Sequence, residues 1–118
     1  MRNSIIHQKS YAFALKVIRL YSFLTEKKKE YTLSNQLLRS GTSIWAMIRE
    51  AEFGQSRADF VSKLSIALKE ANESEYWLSL LYDSDFLSEE EFFSIHEDAL
   101  EIVRILVASI KTTKSKKE

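Results

Sequence analysis

A chain of 118 residues that is 45% hydrophobic and 12% aromatic has the length and apolar content for one folded domain, which excludes a disordered chain and leaves little room for a second domain. It has no cysteine, which excludes disulfides, thiol catalysis and thiolate metal sites, and no proline to interrupt a helix. The formal charge is zero, yet residues 1–69 hold 12 of the 17 Lys and Arg but only 5 of the 17 acids, so two opposite fields hide in the sum. Near the start, Arg2, His7, Gln8 and Lys9 break the apolar run that a signal peptide needs. No later run reaches membrane-spanning length without a charge, so the expected address is cytoplasmic, with no membrane partner.

The first predicted helix runs from about Ile5 to Thr25. Phe13, Val17, Leu20 and Leu24 recur on one stripe, widened by Ala14, Ile18 and Tyr21, while Lys9, Lys16 and Arg19 fall mainly outside it. Glu26-Lys27-Lys28-Lys29-Glu30 reads as a solvated helix end, where three lysines suit the negative end of the helix dipole. Thr32 or Ser34 is the expected cap of the second helix. Its apolar positions are Leu33, Leu37, Ile44, Met47, Ile48 and Ala51, interrupted by the small residues Ser40-Gly41-Thr42-Ser43. Gly41 costs about 1 kcal/mol of helix propensity relative to alanine, a cost expected where another backbone approaches closely, with a kink in the helix as the alternative. Trp45, Met47 and Ile48 exceed one narrow stripe, so this helix is expected to be covered on more than one side.

Phe53-Gly54-Gln55-Ser56 is the central hinge, with Gly54 as the expected C-cap and Ser56 with Asp59 as a capping box made with the shorter acid. The third helix extends from Arg57 to about Tyr82. Ala67, Ala71 and Ser74 keep one side small, and Leu64, Leu68, Leu78 and Leu81 are bulky. Glu70, Glu73 and Glu75 stand at helical spacing, but His7 and His96 lack the Glu-x-x-His arrangement of a di-iron bundle, so no metal is expected. Ser88-Glu89-Glu90-Glu91 is a capping box with an acidic first turn, opening a fourth helix whose stripe is Phe92, Ile95, Ala99, Ile102, Val103, Leu106 and Ile110. His96, beside Glu97 and Asp98, reads as a satisfied helical histidine rather than a general base. Lys111, Lys114, Lys116 and Lys117 follow, and residues 112–118 are expected to fray.

Four apolar patterns joined by short connections predict an all-α fold, an antiparallel up-down four-helix bundle spanning residues 1–118 as one domain. No catalytic residues, cofactor site or metal cluster emerges, so an enzyme is not expected.

Gln36-Leu37-Leu38-Arg39, Ser43-Ile44, Ile48-Arg49-Glu50-Ala51, Phe53-Gly54, Asp59-Phe60, Leu64 through Ala71, and Glu73-Ser74-Glu75-Tyr76-Trp77-Leu78 together resemble the bacterial four-helix-bundle proteins encoded in intervening sequences of large-subunit ribosomal RNA genes. The likeness covers nearly the whole chain. It departs at Trp45-Ala46, where many members have a proline followed by a small residue, and at Gln55, where a basic residue often follows Phe-Gly. The resemblance implies an up-down bundle that assembles as a homopentamer. It also implies kinship with the accessory variability proteins of diversity-generating retroelements, which are associated with nucleic acid and, as partner, a reverse transcriptase.

Two functions are therefore expected in competition. One is a non-enzymatic oligomeric scaffold that binds RNA or DNA through Lys9, Lys16, Arg19, Arg39 and Arg49, whose cations can neutralise phosphates without reading bases. The other is a homo-oligomeric protein-interaction scaffold with no nucleic-acid contact.

Overall fold

The computed structural model of the protein describes residues 5–116. Four helices follow one another, α1 (Ile5–Glu26), α2 (Thr32–Glu52), α3 (Arg57–Asp83) and α4 (Glu89–Ser115), with no strand among the described residues. Connections of four or five residues force consecutive helices to run antiparallel, and the four close into a cycle in which each touches only its two neighbours. The result is an up-down bundle 53 Å long and about 22 Å across. Contact is densest between α2 and α3 and sparsest between α1 and α4, the pair that closes the cycle.

The core follows the expected stripes. Phe13, Val17 and Leu24 of α1, Leu37, Ile44 and Ile48 of α2, Leu64, Leu78 and Leu81 of α3, and Ile102 and Leu106 of α4 are all buried. Gly41 marks close packing, but by a side chain rather than the expected backbone: a Cβ there would lie 2.8 Å from Val17 Cγ2, so Val17 of α1 sits directly on bare α2 backbone. Beside it, Ser40 and Ser74 are fully buried and share a 2.8 Å hydrogen bond between α2 and α3. The two hydroxyls satisfy each other where water cannot reach.

One α1 expectation fails in an instructive way. Ile18 was expected to widen the buried stripe, but it is exposed, and Ile6 and Ser10 extend the buried line instead. At about 100° per residue, Ile18 is rotated away from Val17 and joins Tyr11 and Leu15 on the far side of the helix.

Helix ends are set by local hydrogen bonds. The second helix is not capped by Thr32 or Ser34: its N-cap is Tyr31, whose side chain makes no capping bond. The Glu30 carboxylate does this work by accepting from the Leu33 and Ser34 amides at 2.9 and 2.8 Å and from the Ser34 hydroxyl. Burial pushes this carboxyl up, but the bonds from Ser34 and the backbone outweigh it and hold it below the usual glutamate range. A longer acid one residue outside the cap reached the amides that the shorter hydroxyls were expected to fill.

Gly54 is not the C-cap of α2 either. Phe53 holds that position, and Gly54, without a positive φ, donates its amide to the Ala51 carbonyl at 3.0 Å. The Ser56 hydroxyl accepts from the Asp59 amide as expected, but the Asp59 carboxylate accepts from Gln55 rather than closing the box on Ser56. The box at Ser88 and Glu91 is complete. Two turns use non-glycine residues in the left-handed region, Lys29 (φ 57°) after α1 and Asp85 (φ 68°) after α3.

Candidate functional site

The five basic residues singled out in the sequence do not gather on one surface. Lys9 pairs with Glu101 at 3.1 Å and Lys16 with Asp98 at 2.6 Å, both across the seam from α1 to α4, and Lys16 also donates to Ser94. Arg39 crosses from α2 to α3, where it binds Glu70 at 3.1 Å and also Glu73. Hydrogen bonding to Glu73 raises the Arg39 guanidinium above its ordinary value. Burial works to raise Glu73, but bonds from Arg39 and the Trp77 indole hold it low. These three cations are committed to acids of their own chain.

Arg19 and Arg49 are different. Arg19 is exposed and lines a shallow groove with Lys16, Phe23 and Glu91, making no ion pair among the described residues. Arg49 lies over the Trp45 ring, 5.4 Å from its centre, a cation–π contact at the opposite end of the bundle.

The glutamates that invited a metal reading are likewise used structurally. Glu70 and Glu73 hold Arg39, and Glu75 accepts from Ser79 and meets His96 Nε2 at 2.9 Å. The His96 contact draws the Glu75 carboxyl below the usual range despite partial burial. Phe92 stacks on the His96 ring, so the histidine is satisfied within the seam from α3 to α4. No group of three or more metal-ligating side chains exists among the described residues, and no helix of the structure is long and apolar enough to cross a membrane.

Two surface features were not found in the sequence. The first is an apolar stripe on α1, Tyr11, Leu15 and Ile18, all exposed and lying within about 60° of one another around the helix axis. The Tyr11 ring meets Trp45 edge-on, 5.6 Å between centres, which extends the stripe toward α2. Its signal was present as an i, i+4, i+7 spacing, but the eye assigns such spacing to the core first.

The second feature is axial separation of charge. The joins after α1 and after α3 lie at one end of the bundle and the α2–α3 join lies at the other. Around the first end stand Glu26, Asp83, Asp85, Glu89 and Glu90, against Lys27, Lys28 and Lys29. The second carries Arg49, Arg57, Lys63, Lys111, Lys114 and Lys116 against Glu50, Glu52 and Asp59. This axial division differs from the basic first half and acidic second half of the sequence, because the antiparallel path brings the lysines at the end of α4 to the start of α3.

At the cationic end a groove of about 530 Å³ is lined by Trp45, Arg49, Phe53, Gln55 and Lys63, together with Glu50 and Asp59. Phe53 is 72% exposed, the highest value among the large apolar side chains found at the surface. Its ring stands at the hinge with little of the protein covering it.

No curated protein matches the chain. Among solved structures, it is similar to a protein of unknown function from the S23 ribosomal protein family of Bacteroides thetaiotaomicron VPI-5482. The two are 52% identical with a TM-score of 0.90, over 91% of this chain and 99% of that one. The sequence model described as 23S rRNA-intervening sequence protein matches residues 2–108. With that match over most of its length, the chain belongs to the 23S rRNA-intervening sequence protein family.

Proposed function

We propose that the protein is a non-enzymatic scaffold that works as a homo-oligomer. The observation that carries this reading is the exposed stripe of Tyr11, Leu15 and Ile18, which lies about 140° around α1 from the buried core line and so contributes nothing to the monomer's interior. Three large apolar side chains in register on one helix face lower their free energy by covering one another's surface in a second copy. Five copies, the number implied by the family resemblance, is the preferred stoichiometry.

The test is sedimentation velocity or light scattering across micromolar concentrations. The protein as it stands should assemble, and Leu15→Glu should dissociate it while its helical circular dichroism stays unchanged. A chain that remains monomeric throughout that range, or an assembly indifferent to charge at positions 15 and 18, would remove the reading.

A further inference from the structure

We propose that the cationic end of the bundle, centred on Phe53, is a docking surface for single-stranded RNA or DNA. The proposal rests on charge separation and on one ring, and uses none of the paired cations on α1 and α2. Lys111 and Lys114 are exposed on the last turns of α4 and Lys116 just beyond it, and the Arg57 guanidinium donates to the Lys116 carbonyl at 2.6 Å, which ties this segment to the start of α3. Lys63 of α3 is paired with Glu50 at 3.8 Å, whereas Arg49 has no acid partner among the described residues. Phosphates arriving here find Lys111, Lys114 and Arg49, which form no ion pair among the described residues.

Phe53 decides between polyanions. An acidic peptide would use the lysines and gain little from a bare phenyl face, whereas an unpaired base can stack on it. Duplex nucleic acid keeps its bases stacked inside and cannot offer that face, so a single strand fits better. Trp45 lines the same groove with Arg49 over its ring, so Phe53 is the aromatic face open to a base. The Glu50 and Asp59 carboxylates in the groove oppose phosphate; Glu50 is paired with Lys63, and Asp59 accepts from the Gln55 amide but keeps its charge, so the attraction comes from the lysines at the end of α4 and from Arg49. Recognition is thus of backbone and base face, without sequence readout. If copies assemble with their axes parallel, these ends add on one rim and weak contacts multiply.

The competing occupant is the acidic end of a second copy, which carries the complementary charge. Fluorescence anisotropy with labelled oligouridylate RNA, run beside light scattering on the same samples, separates the two. The logarithm of affinity should fall linearly with the logarithm of salt concentration, with a slope of about −0.7 for each phosphate neutralised. Lys111→Ala with Lys114→Ala should flatten that slope by roughly 1.4. Phe53→Ala should weaken binding on the order of tenfold and leave the slope unchanged. Lys28→Ala, at the opposite end, should do nothing. The Leu15→Glu chain should keep the dependence on Phe53, even if dissociation weakens its avidity, so failure of the self-assembly reading would be seen separately.

The proposal is overturned by no RNA binding at low salt, by equal binding of duplex RNA, by loss of binding in Lys28→Ala, or by indifference to Phe53. A double lysine variant that changes the size of the assembly but not RNA binding also overturns it, and assigns this end to the acids of a neighbouring copy.

Discussion

The seam between α2 and α3 and the seam between α1 and α4 both carry ion pairs at their edges but differ in what fills their centres. The first is dry at its centre: small residues, including Ser40, Ser74, Ala67 and Ala71, are fully buried, and two hydroxyls bond each other at 2.8 Å. The second is the sparsest contact in the bundle, bridged near its rim by Lys9 to Glu101 and Lys16 to Asp98, each side chain close to two-fifths exposed. Small side chains let two helices approach until their backbones nearly touch, whereas long charged ones span a gap and leave grooves of about 200 and 270 Å³ along it. Stability is therefore expected to concentrate in the first seam and plasticity in the second.

The largest expected effect is in the dry seam. Ser74→Leu forces a bulky side chain into a filled space and removes the partner of Ser40, so it should destabilise by about 3 kcal/mol, seen as a Tm lower by about 10 °C. A Tm within a degree of the parent would show that this seam is looser than its distances indicate. Ser74→Ala should cost less, about 1 kcal/mol, because only the hydrogen bond is lost. Adding Ser40→Ala to it should cost less than the sum of the two single changes, because the second hydroxyl no longer has a partner to lose. Strict additivity in urea unfolding would disprove the coupling.

Across the looser seam, Lys16→Ala should cost at most about 1 kcal/mol, since exposed pairs exchange solvation for attraction almost evenly. High salt should shrink even that difference. A loss as large as that of Ser74→Leu would reverse the ranking of the two seams.

The smallest effect is expected from acid. Glu30, Glu73 and Glu75 all titrate below the ordinary glutamate range in the folded chain. The stability they contribute is fully present above the unfolded value of about 4.3 and is lost as pH falls through their lower folded values. The urea midpoint should therefore decline below about pH 4, and Glu75→Gln should make the decline shallower. A midpoint that rises on acidification would contradict the sign.

Periodicity made the four helices and nearly all of the core legible, because helical spacing states which face is buried whenever only one face is apolar. Gly41 was readable for the same reason, as a small residue in an otherwise strong helix. The caps were less legible: Thr32 and Ser34 have capping chemistry, and only the backbone path shows that Glu30 reaches the same amides. The surface was the least legible part. Whether Lys9 or Arg39 is available to a ligand depends on acids 92 and 31 residues away, and no spacing rule spans such distances. Phe53 illustrates the converse, since the sequence places it in the hinge and only the backbone path shows that its ring turns outward.

The two left-handed turn residues carry a consequence for how far this fold lies from its own optimum. Lys29 holds a backbone conformation that costs an ordinary side chain about 1 kcal/mol or more and glycine almost nothing, and Asp85 holds a similar one that its short polar side chain tolerates better. Both occur at the acidic end, in the two joins that reverse the chain there. Glycine at position 29 is accordingly a candidate for a hardier protein that leaves every helix and both seams untouched, whereas the same exchange at 85 offers little. Selection has kept the chain adequate at that turn without making it as robust as its geometry allows.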